Sequence, residues 1–333
     1  MAALDAPWPA AVAVSGGGDS LALMFLLADW ARATGREPPI VLTVDHGLHP
    51  HSRRHAQKVR EWADETGLKA DVLRWRDAKP QSDVEAAARS ARYRLLGARC
   101  RKQGIAALYT GHTLDDQAET FLLRLARGSG LDGLSSIRPV APLPVPAMQS
   151  VQLLRPLLGF RREALRRYLA ERGQEWLEDE MNADPRFARV RIRRAMVLLE
   201  QAGLTGERIA DAARHLGRAR EALEVATAAV LERACRPAGK GFGLDKAALV
   251  SAPRELALRA LAAVLMSVSG QSYRPRFERL ERLFDTIREG SLGGGATLHG
   301  CKISLERLPK GGKGSVRILI AAEPGRKPRA TTS

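Results

Sequence analysis

The sequence predicts an α/β protein with a parallel, doubly wound sheet, followed by a smaller, mostly helical C-terminal domain. Through residues 1–160, short apolar runs typical of buried strands alternate with helical segments, the pattern of a parallel sheet covered by helices. Polar segments 15–20, 45–52 and 111–119 each follow such a run. Ligands in open α/β sheets bind beyond the carboxyl ends of the strands, so we expect these segments to converge on one site.

Each predicted strand of this sheet is a short apolar run, and each predicted helix repeats apolar residues at helical spacing. The predicted strands are 11–14, 39–44, 69–75, 105–110 and 153–158. The predicted helices begin with 21–28 and continue with 53–66, 84–101, 114–126, 160–172 and one that ends near 200. The proline-rich connection 139–146 is expected to be ordered but irregular.

The last third of the chain predicts mainly helices. A long helix over 205–235 precedes helical patterns at 253–268 and 275–289, and two β-like runs follow at 296–305 and 315–320. The resulting domain prediction is a first domain 1–204, a linking helix 205–235, a C-terminal domain 236–322 and a basic tail 323–333.

Composition indicates a soluble, cytoplasmic protein with a polyanionic partner. Lys and Arg number 53 against 37 Asp and Glu, a formal net charge of +16, and most of the excess lies in 216–333. Nucleic acid is the commonest reason for such a balance, although a solvated basic face also produces it. Three widely spaced cysteines exclude a disulfide framework and fit a reducing compartment. The longest apolar run, 21–28, is too short to span a membrane.

The segment Ser15–Ser20 reads Ser-Gly-Gly-Gly-Asp-Ser and lies between a predicted strand and a predicted helix. Glycines there let backbone N–H groups approach a ligand, and the helix start adds free donors and the positive end of its dipole. Asp19 is too acidic to touch phosphate directly but suits a Mg²⁺ ion between it and the phosphates. A glycine-rich turn that only caps a helix is the alternative.

This loop lacks the Gly-Lys-Ser/Thr of a Walker loop and the third glycine of a dinucleotide fingerprint. It resembles the pyrophosphate loop of enzymes that split ATP into AMP and pyrophosphate. That resemblance implies a reaction in which the loop holds pyrophosphate while AMP is attached to a substrate oxygen.

A second polar segment, 111–120, places acids at a predicted helix start. Thr113 followed by Asp116 has the spacing of a capping box. Asp116 and Glu119 fall on one face of the helix, with His112 just before it. Two carboxylates there can bind a cation or take a proton from an attacking amine, or they can simply complement the helix dipole.

Two basic segments complete the candidate site. Five arginines lie close together in 186–194, which favours phosphate contacts over a solvated face. Arg127-Gly128-Ser129-Gly130 ends the predicted helix and is either a glycine cap or a mobile basic loop over the site.

Together these segments resemble the bacterial tRNA(Ile)-lysidine synthetase family over residues 11–200. The combination of the loop with Asp-Asp-Gln-Ala-Glu-Thr at this separation is specific for that family. The other matching segments are Val44–Leu48, Glu85–Arg89 with Ala91–Tyr93, Gly111-His112, Arg127–Gly130, Leu154–Leu157 and the positions Asp184, Arg189, Ile192 and Arg193.

The resemblance implies ATP-dependent adenylation of the C2 oxygen of the wobble cytidine in a CAU anticodon, followed by attack of the ε-amine of free L-lysine. It implies four overlapping sets of residues. The ATP set is Ser15, Gly16, Gly17, Gly18, Asp19 and Ser20, with Asp19 also for Mg²⁺. The lysine set is His112, Asp116 and Glu119, and the tRNA or adenylate set is Arg127, Arg155, Arg189 and Arg193. The catalytic set is Asp19, Asp116, Glu119 and Arg189. Val190 stands where the family usually has Asn.

Other classes share part of this pattern. The tRNA thiolases have the same loop but need cysteines or an iron–sulfur cluster at the site, whereas Cys100 lies mid-helix and the other two lie in the last third. A non-enzymatic RNA-binding protein fits the charge but leaves Asp19, Asp116 and Glu119 without a role. The resemblance leaves a homodimer open as the assembly.

Overall fold

The computed structural model describes residues 7–135, 137–178, 186, 188–271, 273–307 and 316–323. The chain forms two compact units, 1–217 and 218–333. Of the predicted features, Asp184, the connection 308–314 and the tail beyond residue 323 lie outside the described residues.

The first unit is built on a six-stranded sheet with the strand order β3-β2-β1-β4-β6-β5. All neighbours are parallel except β5, which is antiparallel to β6. The strands are β1 (Ala10–Ala13), β2 (Ile40–Asp45), β3 (Ala70–Arg74), β4 (Ala107–Thr110), β5 (Val140–Pro142) and β6 (Gln152–Leu154). The central strand β1 is flanked by β2 and β4, so the polar segments that follow these three strands meet at their carboxyl ends.

Helices cover both faces of this sheet. The helices of the first unit are α1 (Gly18–Ala33), α2 (Ser52–Glu65), α3 (Val84–Lys102), α4 (Leu114–Leu125), α5 (Leu131–Leu134), α6 (Arg162–Glu171), α7 (Ala188–Gln201) and the start of α8 (Gly206–Ala234). Alternate residues of β1 enter different cores: Val12 packs with the buried residues of α1, and Ala11 packs with those of α3. The predicted doubly wound α/β class is therefore confirmed.

The proline-rich connection contains an unpredicted strand. Val140 pairs with Leu154 and Pro142 with Gln152, and β5 ends the sheet order. Proline is tolerated there because an edge strand does not need every N–H for a ladder. The expectation of an irregular connection was wrong for these residues.

The second unit combines helices with a five-stranded antiparallel sheet of order β7-β8-β11-β10-β9. Its strands are β7 (Cys235–Ala238), β8 (Gly241–Asp245), β9 (Ala296–Leu298), β10 (Cys301–Arg307) and β11 (Val316–Ala322). The helices α9 (Lys246–Val250), α10 (Arg254–Ser269) and α11 (Phe277–Glu289) follow the end of α8. The buried faces of α10 and α11 form one core with this sheet.

None of the helices among the described residues combines the length and the apolar character that crossing a bilayer requires.

Candidate active site

The loop between β1 and α1 is a tight turn closed by its two serines. Gly16 has a φ of +91°, in the left-handed region that glycine adopts without strain. The Ser20 hydroxyl donates to the Gly17 carbonyl at 2.9 Å and accepts the Ser15 N–H at 3.1 Å. Gly17 precedes the first turn of α1 and provides no side-chain cap, which leaves the helix start suited to an anion.

The loop is covered on one side by residues that follow α6. The Leu177 N–H donates to the Gly16 carbonyl at 3.0 Å. A Cβ atom on Gly16 would lie 2.5 Å from Leu177 Cδ1, and one on Gly18 would lie 3.5 Å from the Trp176 ring. The nearest atom to a Cβ on Gly17 is the Ser15 hydroxyl at 3.7 Å, so Gly17 is the least crowded of the three glycines.

The loop also lies directly against the end of β4. A Cβ atom on Gly111 would approach the Asp19 carbonyl oxygen to 2.8 Å and the Ser20 Cα to 2.9 Å. Gly111 has no positive φ, so the close approach of two backbones is what requires glycine here. The predicted convergence of the first and third polar segments is therefore present in the structure.

Helix α4 begins with the predicted capping box. Asp116 Oδ2 accepts the Thr113 N–H at 2.9 Å and the Thr113 hydroxyl at 3.0 Å, and the Asp116 N–H donates back to that hydroxyl at 3.4 Å. This geometry fixes the carboxylate and leaves its Oδ1 atom directed to other partners. Both Asp116 and Glu119 are buried.

An arginine that the sequence analysis did not single out joins the two acid-bearing segments. Arg162, the first residue of α6, donates from Nε to Asp19 Oδ2 at 2.8 Å. Its Nη1 lies 3.4 Å from Glu119 Oε1, and its Nη2 lies 3.5 Å from Asp116 Oδ1. Burial opposes its charge, but the three carboxylates outweigh burial and raise the pKa of Arg162.

Glu119 has a second cationic partner in α7. Arg193 Nε donates to Glu119 Oε1 at 2.6 Å, and its Nη2 lies 3.3 Å from Oε2. Only 3% of the Glu119 side chain is exposed, so this two-point contact compensates a carboxylate that water hardly reaches. Arg193 is thus held against the acids of α4.

The pKa values of Asp19 and Asp116 are shifted in opposite directions. Burial raises the pKa of Asp19, although Arg162 opposes the shift. Burial also acts on Asp116, but the Thr113 backbone N–H and Arg162 outweigh it and lower its pKa. Asp116 is therefore the more firmly ionised of these two carboxylates, and it is suited to hold a cationic amine.

Asp19 also has a feature that fits a metal ion. Its Oδ1 atom is buried and has no hydrogen-bond partner among the described residues, whereas Oδ2 is held by Arg162. The described residues contain no group of three or more His, Cys, Asp or Glu side chains arranged to hold a metal. One carboxylate oxygen together with substrate phosphates is, however, a usual environment for Mg²⁺.

A cluster of positive charge lies around Tyr93 and His112. The guanidinium of Arg89 lies 5.1 Å from the centre of the Tyr93 ring and that of Arg92 lies 6.0 Å from it, with Arg155 beside them. The Nε atoms of Arg92 and Arg155 are buried with no hydrogen-bond partner among the described residues. Burial and neighbouring arginines lower the pKa of both. Such a cluster suits an anionic ligand.

The remaining predicted residues have different surroundings. His112 Nδ1 lies 3.0 Å from the Thr110 hydroxyl, and burial lowers the pKa of His112 to about 4. Arg189 is half-buried, and its positive charge contributes to lowering the pKa of both His112 and Asp116. Arg127 is exposed beyond the end of α4, and no contact described here joins it to the acids.

Comparison with known proteins agrees with the fold and the loop. A family model described as a PP-loop domain matches residues 7–200. The chain is 43% identical over 312 residues to a tRNA(Ile)-lysidine synthase of Methylobacterium nodulans, and the aligned region covers 90% of each protein. It is 36% identical over 295 residues to one from Wolbachia pipientis wMel, covering 88% of this chain and 67% of that protein.

A solved structure shows the same fold at greater distance. The U34-tRNA thiolase NcsA from Methanococcus maripaludis, with its 4Fe–4S cluster, superimposes with a TM-score of 0.50. It shares 17% identity and covers 63% of this chain and 72% of that one. At this identity the likeness concerns the fold alone.

The parallel sheet, the Ser-Gly-Gly-Gly-Asp-Ser loop and the matched domain define a PP-loop protein of the ATP-using, adenine nucleotide α-hydrolase-like class. Within that class, the chain belongs to the tRNA(Ile)-lysidine synthase family.

Proposed function

We propose that this protein forms lysidine at the wobble cytidine of tRNA(Ile) bearing a CAU anticodon. The C2 oxygen of the cytidine attacks the α-phosphorus of ATP, and pyrophosphate leaves. The ε-amine of lysine then attacks C2, AMP departs with that oxygen, and the amine loses a proton. The observation that carries this proposal is that Arg162 contacts Asp19, Asp116 and Glu119 at once.

The loop residues Ser15–Ser20 would bind the triphosphate and retain the leaving pyrophosphate. Support comes from the uncapped start of α1 and from the uncrowded position of Gly17. The buried, unpartnered Oδ1 of Asp19 would hold Mg²⁺. The ion would neutralise charge that develops on the phosphate oxygens when it is bound.

The acids of α4 would bind the amine. Asp116 is fixed by its capping box and stays ionised, which suits an ammonium group. Glu119 lies one turn further along the same helix and is oriented by Arg193. A carboxylate in this position can also accept the proton that the amine must lose. His112, neutral because its pKa is near 4, would leave the charge of this pocket to the two acids.

The basic side chains would contact the anticodon and the adenylate. Arg155 and Arg189 belong to the positive cluster beside His112, which supports a phosphate contact there. Arg193 lies among the acids, and Arg127 would reach tRNA from its exposed position. The second unit, which holds most of the excess positive charge, would bind the body of the tRNA.

A thiolase needs reactive thiols at its site, and the first unit, which contains the loop and the acids, has Cys100 as its one cysteine. Cys100 is fully buried in α3, and burial raises its pKa to about 12, so it has no reactive thiolate at neutral pH. Cys235 and Cys301 belong to the second unit. The three thiols are free, which suits the reducing cytoplasm in which we place this reaction.

Pyrophosphate release tests the proposal. Purified protein is given Mg²⁺, ATP and tRNA transcripts with a CAU anticodon, with each amino acid in turn. We expect turnover of the transcript to modified product only with lysine. An otherwise identical transcript carrying a UAU anticodon is the control. Equal modification of both transcripts, or equal stimulation by unrelated amino acids, would contradict the proposal.

A further inference from the structure

Arg162 connects two groups that the proposed function assigns to different ligands. Asp19 belongs to the nucleotide loop, while Asp116 and Glu119 belong to the amine pocket. One guanidinium lies within 3.5 Å of all three carboxylates. In this arrangement, Arg162 takes hydrogen-bonding positions on Asp116 and Glu119 that an ammonium group would otherwise use.

The backbone of Arg162 is held in place by α4. The Arg162 N–H donates to Asp115 Oδ2 at 2.7 Å, and the Leu114 N–H donates to the Phe160 carbonyl at 3.0 Å. These two hydrogen bonds join the start of α6 to the start of α4. A change in the contacts of Arg162 therefore requires only a rotation of its side chain.

The three contacts of Arg162 are unequal in length. The contact with Asp19 is 2.8 Å, that of a strong charge-assisted hydrogen bond, whereas those with Glu119 and Asp116 are 3.4 and 3.5 Å. Phosphates bound next to Asp19 would add negative charge on the side of the guanidinium that is already held firmly. The two longer contacts would be lost first.

The acids retain other partners when Arg162 moves. Glu119 keeps Arg193 at 2.6 Å, and Asp116 keeps both hydrogen bonds from Thr113. Their carboxylates stay oriented, and Asp116 Oδ1 and one lone pair of Glu119 Oε1 become available to a new donor.

From this geometry we propose that Arg162 is a positioning residue that couples nucleotide binding to amine binding. With the loop free of nucleotide, Arg162 competes with the amine for Asp116 and Glu119. Nucleotide in the loop draws Arg162 towards its phosphates and opens the acid pair. Because this coupling is reciprocal, lysine strengthens nucleotide binding by the same factor. The inference rests on the proposed amine pocket and adds the order in which its ligands bind.

Calorimetry of lysine binding tests this coupling without turnover. The probe nucleotide is an ATP analogue with a methylene group between the α and β phosphorus atoms, supplied with Mg²⁺. For the unmodified protein we expect the analogue to tighten lysine binding about fivefold or more. For Arg162→Gln, which removes the competing charge, we expect less than about a twofold effect, with lysine binding tight in both conditions.

Arg167→Gln is the matched control, because Arg167 lies on the same helix and pairs only with the exposed Glu163 in the contacts described. It should keep the full coupling. If Arg162→Gln does not fold, Arg162→Lys replaces it, since one ammonium cannot reach three carboxylates as a guanidinium fork does. Its coupling should fall to less than about half that of the unmodified protein.

Two results would overturn the coupling by Arg162 and leave the proposed function standing. One is lysine binding that nucleotide does not affect in the unmodified protein, and the other is full coupling in a folded Arg162 variant. If no protein bound lysine under any condition while all still bound nucleotide, both the proposed amine pocket and the coupling would be contradicted.

Discussion

The backbone of Asp19 lies against Gly111 so closely that a single added carbon would not fit between them. The carbonyl oxygen of Asp19 would be 2.8 Å from a Cβ atom on Gly111. This contact fixes the distance between the nucleotide loop and the acidic start of α4, because Gly111 is followed within a few residues by that helix.

Gly111→Ala should displace the loop. Overpacking of this kind destabilises a folded protein by about 1–3 kcal/mol. We expect the KM for ATP to rise about tenfold, because the phosphate-binding groups are misplaced relative to the acids. Unfolding by urea and steady-state pyrophosphate release measure the two effects. Gly159→Ala is the control, since nothing lies within 4 Å of a Cβ there. Equal behaviour of the two variants would contradict the steric role of Gly111.

Asp19→Asn should abolish turnover while the protein continues to bind tRNA. Asparagine keeps the shape of the side chain but not the charge that would attract Mg²⁺, so we expect pyrophosphate release to fall on the order of a hundredfold or more. Asp29→Asn, on the exposed side of the same helix, should retain activity. Normal release by the Asp19 variant would rule out the assigned metal role.

Glu119→Gln should weaken the use of lysine more than the use of ATP. The amide cannot pair with an ammonium charge, and we expect the KM for lysine to rise about tenfold with a smaller change for ATP. Initial rates over a grid of both substrates separate the two constants. Glu163→Gln, whose carboxylate is exposed, serves as the reference variant. Parallel increases in both KM values would argue against an amine pocket.

Arg189→Gln should reduce the dependence of tRNA binding on salt. The plot of log K against log salt has a negative slope, and each phosphate contact that is removed makes this slope less steep by about 0.7–0.9. Fluorescence binding curves between low and moderate salt give this slope. Arg60→Gln, in an exposed ion pair with Asp64, should leave it unchanged. A flat salt response in the unmodified protein would remove the case for phosphate contacts altogether.

Two half-buried histidines, His46 and His112, should make the fold sensitive to acid. Burial lowers the pKa of both His46 and His112 to about 4, below the ordinary value near 6.5. Between these values the unfolded chain binds protons that the folded protein does not, so stability falls as pH drops below about 6.5. Each histidine contributes a loss of at most about 2 kcal/mol by pH 5.

Urea unfolding at pH 7.5 and 5.0 measures this loss. His46→Gln should lose less stability between the two conditions than the unmodified protein, because it no longer takes up that proton on unfolding. An equal loss in both proteins would show that His46 titrates normally in the folded state.

The sequence predicts most of the first unit because local patterns there agree with tertiary structure. Apolar runs, the glycine loop and the Thr113–Asp116 spacing each specify structure within a few residues. The second unit is predicted less well. The single run 296–305 is in fact a hairpin, since the chain turns at His299 and Gly300, which have φ values of +57° and +75°. His-Gly is not one of the dipeptides, such as Asn-Gly and Asp-Gly, that most strongly predict a two-residue hairpin turn.

The site contacts that sequence reasoning missed are those between distant residues. Arg162 lies 143 residues after Asp19 and is one of several arginines in its helix, so no local pattern distinguishes it. The cover that Trp176 and Leu177 provide over the loop is equally non-local. The resemblance indicated Arg193, but its partner Glu119 follows only from packing.

The pairing of Glu119 with Arg193 has a consequence for synthesis on the ribosome. The loop, the sheet and α4 are all translated before α7, so a nascent chain can form the nucleotide half of the site while Glu119 still lacks this guanidinium. A carboxylate so enclosed is costly without its partner. The emerging polypeptide would therefore complete this contact only after residue 193 has left the exit tunnel. Premature termination before α7 would leave a product that has the loop but lacks the guanidinium that pairs with Glu119.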